Sequence, residues 1–126
     1  MTIDTIWNNW LDKRSEEDRK TIYLFTDLLL RCDALIYPRM SYGAPFLYRL
    51  GPLGYFGYDK IHGVYFGFYW GKYLVQHDSS GILQPDERKT VKIILLQDRT
   101  DDDNFIGSLL ELFDRAIQID SDRYRK

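Results

Sequence analysis

Two histidines, one cysteine, a pair of serines and a run of aspartates are the residues of this 126-residue chain whose types could do chemistry. His62 and His77 fall on different loops, and neither a His-x-x-x-His nor a Cys-x-x-Cys spacing occurs, so the sequence does not read as a zinc site. Asp98 with Asp101, Asp102 and Asp103 is the densest carboxylate cluster, and oxygen ligands suit hard cations such as calcium or iron. The triplet also stands where a helix should begin, where carboxylates cap unpaired N–H groups and favour the positive end of the helix dipole. Helix capping is the reading preferred for it. His77-Asp78-Ser79-Ser80-Gly81 holds the residue types of a hydrolase, but one short loop does not supply the separated nucleophile, base and acid of a triad. It reads as a solvated turn. Cys32 follows Leu29 and Leu30 late in a helical pattern, a half-buried position where the dipole opposes thiolate formation, so a structural role is expected.

Those residues are positioned by elements that the periodicity makes visible. Ile3, Ile6, Trp7, Trp10 and Leu11 recur at helical spacing and predict a short amphipathic N-terminal helix. Ser15-Glu16-Glu17-Asp18 has the form of a capping box and opens a second helix. Its buried stripe is Ile22, Phe25, Leu28, Leu29 and Cys32, and it is expected to end between Asp33 and Leu35, ahead of Pro38. Between Tyr37 and Tyr73 the composition turns to aromatics interleaved with glycine, which is strand and turn chemistry. Strands are predicted at Ile36–Met40, Phe46–Leu50, Leu53–Tyr58, Val64–Trp70 and Val91–Leu96, with a long loop over Gln76–Glu87. Thr100 starts a last helix through Phe105, Leu109, Leu110, Phe113, Ala116 and Ile117, and the tail beyond Ile119 is expected to fray. The chain is thus one α+β domain: two N-terminal helices within 1–35, a five-stranded mainly antiparallel sheet within 36–97, a C-terminal helix over 100–119 and a tail over 120–126, the helices lying on one sheet face.

Strand alternation sorts the aromatics into two groups. Val64, Phe66, Phe68 and Trp70, with Phe56 and Tyr58, share one parity; Tyr65, Gly67, Tyr69 and Gly71, with Tyr55 and Gly57, share the other. Phenyl rings suit a helix-covered core, whereas a phenol needs water or a partner for its hydroxyl. The tyrosine parity is therefore the candidate binding face: Tyr55, Tyr65 and Tyr69, with Arg39, Arg49 or Lys72 as anchors for an acidic group. Glycines between the tyrosines are expected to leave shallow gaps where a ligand or another chain approaches the backbone.

The order of several short motifs resembles the YdhG-like family, small and mostly bacterial domains of unassigned function. The resembling residues are Tyr42-Gly43-Ala44-Pro45-Phe46, a hairpin at His62, Phe66-Gly67-Phe68, the strand exit Phe68-Tyr69-Trp70-Gly71-Lys72-Tyr73-Leu74, then Gly81-Ile82-Leu83 and a helix with Leu109-Leu110 and Ala116. The resemblance spans roughly residues 15 to 117. It implies an α+β fold with an antiparallel sheet and brings no catalytic residues. Some relatives are described as frataxin-like iron chaperones by similarity of fold. From that comes the alternative reading, an iron-binding chaperone using Asp98, Asp101, Asp102 and Asp103.

Charge and motif content narrow the remaining classes. Net charge is -2, with the basic excess confined to the sheet region, so no nucleic-acid partner is expected. Phe66-Gly67-Phe68 lacks the basic lead-in of an RNA-stacking motif, and no phosphate-binding glycine loop occurs. No apolar run approaches a membrane span, and Met1-Thr2-Ile3-Asp4 carries no basic patch and no apolar h-region, which makes a reducing cytoplasm the expected compartment. No convergent catalytic set supports an enzyme. The expected function is a non-enzymatic module that binds a small molecule or a protein, a second copy included, through the tyrosine face. No cofactor is expected under that reading, and iron only under the alternative.

Overall fold

Helix-forming patterns at both ends of the chain and aromatic strands between them fold as an α+β domain, in the computed structural model, which describes residues 2–85 and 90–125. The N-terminal pattern forms two short helices, α1 (Ile3–Ile6) and α2 (Asn8–Asp12), rather than one. They part at Trp7, whose φ of -105° and ψ of 18° lie outside the helical basin. Trp7 is buried in the core, edge-on to Phe56 at 5.8 Å. Helices this short have little stability of their own, so packing around Trp7 holds them. Helix α3 (Glu16–Leu30) begins where the capping pattern placed it: Ser15 Oγ accepts the Asp18 N–H at 3.1 Å. It stops at Leu30, earlier than expected, which leaves Cys32 exposed in the following turn.

Five strands follow: β1 (Tyr37–Ser41), β2 (Ala44–Tyr48), β3 (Pro52–Asp59), β4 (Gly63–Phe68) and β5 (Lys92–Leu95). They lie side by side in chain order, every neighbouring pair antiparallel. Strand β2 starts two residues before its expected position because the turn ahead of it is only Tyr42-Gly43, with φ of 53° and 72°. Positive φ at both central residues gives a turn whose twist matches the flanking strands. Glycine adopts that region freely, but a tyrosine held there is unusual. Strand β4 ends at Phe68, so Trp70 leaves the alternation and lies half-buried beneath the Arg123 guanidinium, 3.8 Å from its ring centre.

Two 3-10 turns, Gly71–Tyr73 and Val75–His77, open the long connection to β5. Asp78 serves the loop itself, its carboxylate accepting the N–H groups of Ile82 at 3.0 Å and Leu83 at 2.8 Å, while the Ser80 hydroxyl lies 2.8 Å from that of Ser108. The Gln84 N–H then donates to the Ile93 carbonyl beside the outer edge of β5. Residues 86 and 87 of the expected loop lie outside the described residues.

Helix α4 runs from Asp103 to Tyr124, starting three residues after the expected Thr100, because Asp102 is its cap, and ending five residues past its expected end at position 119. A fraying tail is ruled out by Asp120, which is completely buried. Its carboxylate accepts the N–H groups of Gly51 at 2.8 Å and Leu50 at 2.9 Å and lies 3.2 Å from Arg49 Nη1. Tyr124, one turn on, lays its ring against Gly51, in space that any larger side chain there would need. The core fills the gap between helices and sheet, with Phe113 of α4 6.2 Å from Phe66 and Phe25 of α3 6.2 Å from Phe105. Among the described residues no helix is long and apolar enough to cross a membrane.

Candidate functional site: the tyrosine-lined sheet face

Register decides which side chains meet on each face. Phe56, Phe66 and Ile94 form one cross-strand row, all buried against the helices. The row of opposite parity is Arg39, Phe46, Tyr55, Gly67 and Ile93, flanked by Gly57, Tyr65 and Leu95. Tyr55 and Tyr65 therefore share the face turned away from the core, their rings 6.4 Å apart. Tyr69, just past β4, joins them through Phe46 at 6.3 Å. All three tyrosines are half-buried.

The glycines opposite them are not gaps. Tyr55 faces Gly67 and Tyr65 faces Gly57 across the β3–β4 ladder, and each ring occupies the space beside its glycine that a Cβ would need. A Cβ on Gly67 would sit 2.8 Å from the Tyr55 ring, and one on Gly57 would sit 2.5 Å from the Tyr65 hydroxyl. The tyrosines thus shield the backbone that was expected to be approachable, an aromatic ring over a cross-strand glycine being a known way to stabilise a sheet.

Space opens instead at the β1–β2 end of the face. A hollow of about 300 Å³ is lined by Tyr42, Ala44, Phe46, Tyr55, Tyr69 and Val91. Phe46 is its hub, with ring centres 5.7 Å from Tyr42, 5.1 Å from Tyr55 and 5.8 Å from Tyr48. Phe46 itself is only 3% exposed, whereas Tyr42 is 80% exposed. The Tyr69 hydroxyl is held above the ordinary phenol range, by burial first and then by the neighbouring Tyr42. It stays a neutral donor and acceptor at physiological pH. Sequence alternation found Tyr55 and Tyr69 but missed Tyr42 and Phe46. The signal was present: Phe46 and Tyr48 share a parity, and a Tyr-Gly pair between two strands marks a mirror-image turn.

The three basic residues separate. Arg39 lies on the tyrosine face opposite Phe46, its guanidinium 4.9 Å above the Tyr48 ring. Arg49 is not at the rim of the hollow. It is nearly buried between Asp33, 3.2 Å from Nε, and Asp120, 3.2 Å from Nη1. Burial alone would lower its pKa, but these two carboxylates outweigh burial and raise it. The hydrogen bond from the Leu35 N–H and, against burial, the Arg49 guanidinium hold Asp33 below the ordinary carboxylate value. Lys72 also lies elsewhere, in the first 3-10 turn, with its ammonium 4.9 Å over Tyr73.

The remaining reactive types are occupied locally. Asp102 caps α4 by accepting the Phe105 N–H at 3.1 Å, and Arg99 lies 3.5 Å from the same carboxylate. Asp98 stands in a turn at φ 62°, and among the described residues no three His, Cys, Asp or Glu side chains converge as metal ligands. Asp59 accepts the N–H groups of Ile61 and His62 and lies 3.0 Å from the His62 Nδ1, which keeps its carboxyl below the usual range. The Cys32 thiol is pushed up by partial burial of its sulfur and by Asp114 and Asp33, the opposite of a reactive thiolate.

The geometry suits recognition of a flat apolar group: aromatic walls at fixed separations, a buried phenyl floor, tyrosines among the lining residues and a cation on the same face. Compared with family models, curated proteins and solved structures, the chain matches none.

Proposed function

We propose that the protein is a non-enzymatic binding module of the YdhG-like kind that takes a planar aromatic group into the hollow formed by Tyr42, Phe46, Tyr55 and Tyr69. The observation that carries this reading is the hollow of about 300 Å³ on the sheet face opposite the helices. That volume is at the lower end of the range for small-molecule pockets and matches one or two rings rather than an extended ligand. Arg39 supplies an anchor for an acidic substituent.

Titration of the whole protein with indole and indole-3-acetate, followed by amide NMR, tests the reading. Saturable shifts are expected at Tyr42–Phe46 and Gly67–Tyr69, stronger for the acetate, with Arg39→Gln abolishing the difference. Tyr42→Gly separates binding from folding, because it removes one wall while relieving a left-handed tyrosine worth about 1 kcal/mol. The variant should bind at least threefold more weakly and melt no lower than the parent. Shifts that never saturate, or that fall elsewhere, would overturn the reading. Sedimentation showing a dimer that Tyr69→Asp dissolves would instead make the hollow a contact between two copies.

A further inference from the structure

A second concavity lies far from the tyrosine hollow in character. Helix α4 presents Arg115, Gln118, Ile119 and Asp122 at helical spacing, and the 3-10 turns bring Tyr73 and His77 against that stripe, enclosing about 310 Å³. Arg123 completes the wall. Its guanidinium is stacked 3.8 Å from the Trp70 ring centre and 5.6 Å from that of Tyr73. Stacking fixes the plane of the guanidinium fork and leaves its N–H edges available to an acceptor.

The charges around this cleft are unequal. Arg115 and Arg123 line it and Lys72 lies beside it, 4.9 Å over the Tyr73 ring, against Asp122 as the one lining carboxylate among the described residues. Among the described residues no carboxylate lies within ion-pairing distance of any of the three cations, whereas Arg49, Arg31 and Arg99 all have acidic partners. Hydrogen bonds from Lys72 and Arg123 also hold the Tyr73 hydroxyl below the ordinary phenol range, as a locally positive site would. Tyr73 and Ile119 give the cleft an apolar wall beside these cations.

We propose that the cleft between α4 and the 3-10 turns is a binding site for a small ligand carrying an oxyanion on an apolar body, with Arg115 and Arg123 gripping the oxyanion and Tyr73 and Ile119 receiving the body. Guanidinium groups match phosphate and carboxylate geometry through paired N–H donors, and Arg123 needs little reorganisation because its plane is already set. His77 lines the same cleft and offers a ring N–H donor. Asp122 disfavours a ligand of high negative charge density and leaves room for a single oxyanion. This site is independent of the tyrosine hollow and neither requires the other.

Amide NMR of the whole protein against phenyl phosphate, benzoate and inorganic phosphate, each matched in ionic strength by sodium chloride, tests the proposal. Saturable shifts are expected at residues 72–77 and 115–123, with phenyl phosphate binding more tightly than inorganic phosphate. The ratio of phenyl phosphate to benzoate identifies which oxyanion the site prefers. Arg123→Gln should weaken phenyl phosphate about tenfold, and Arg123→Lys should recover only part of the loss because it restores charge without the fork. Arg115→Gln changes an exposed residue with no described partner, so its expected loss of affinity is free of any folding defect. The proposal is overturned if sodium chloride reproduces the shifts, or if Arg115→Gln and Arg123→Gln both leave affinity unchanged.

Discussion

The two faces of the sheet are built from the same strands and nearly the same aromatic content, yet they do different work. On one, Phe56, Phe66 and Phe68 are fully buried; Phe56 meets Trp7 and Phe66 meets Phe113 edge to face, and Phe68 meets Phe113 at a tilt. On the other, Tyr55 and Tyr65 lie over cross-strand glycines and leave a hollow around Phe46. One oxygen per ring separates them: a phenol in the helix-covered layer would need a partner for its hydroxyl at burial, whereas on the far side the half-buried ring can reach water or a polar neighbour. Burial on both faces comes from rings, but only the phenylalanine face also carries the helices. Stability should therefore be concentrated there, and recognition on the tyrosine side.

Truncation on the two faces is the strongest test of that division. Phe68→Ala opens a cavity in the core and is expected to cost about 3–5 kcal/mol in urea denaturation. Tyr65→Ala removes a half-buried ring over Gly57 and is expected to cost about 1 kcal/mol. Equal costs would show that the tyrosine face is core in all but name.

Asp120 sharpens the comparison because it locks the helical layer to the sheet through hydrogen bonds and an ion pair. Asp120→Ala leaves the Leu50 and Gly51 N–H groups and part of the Arg49 charge unsatisfied, an expected loss of about 3 kcal/mol. Hydrogen exchange should accelerate first at Leu50, Gly51 and the last turn of α4, while indole binding at the hollow stays intact in the folded fraction. Loss of stability below about 0.5 kcal/mol would mean that the buried carboxylate holds nothing in place.

The smallest effect is expected from acid. Asp33 has a lower pKa folded than unfolded, so the unfolded state binds more protons and stability rises with pH across that interval. Its contribution is complete above about pH 5 and is lost as pH falls through the folded value. Asp33→Asn should lower the urea midpoint slightly at neutral pH, by less than about 1 kcal/mol, and flatten its decline between about pH 5 and 2. An unchanged acid limb would remove Asp33 from the lock formed with Arg49 and Asp120.

Much of the architecture was legible because it depends on near-neighbour periodicity. Ser15 and its following acids marked the start of α3, the Phe/Tyr alternation of β4 marked the two faces, and the Asp101–Asp103 triplet marked the capping region of α4, although the helix itself starts at Asp103 and not at Thr100. The misreadings fall where a residue's role depends on a distant partner. Arg49 looked like a free cation until Asp120, some seventy residues later, was found beside it. The same contact keeps α4 helical past Ile119, where local composition alone reads as a fraying end.

Fold class, strand parity and the division into phenyl and phenol faces were determined by the sequence itself, since helical and strand periods are local properties of the chain. Tertiary structure alone decided that Tyr42 and Phe46 meet Tyr55 and Tyr69 around a hollow, that the cross-strand glycines are covered, and that Arg115 and Arg123 confront Tyr73. The physical reason is the same in each case: a cavity is bounded by atoms that folding brings together from separate elements, and its existence depends on angstrom-scale packing that residue spacing along one strand or helix does not encode.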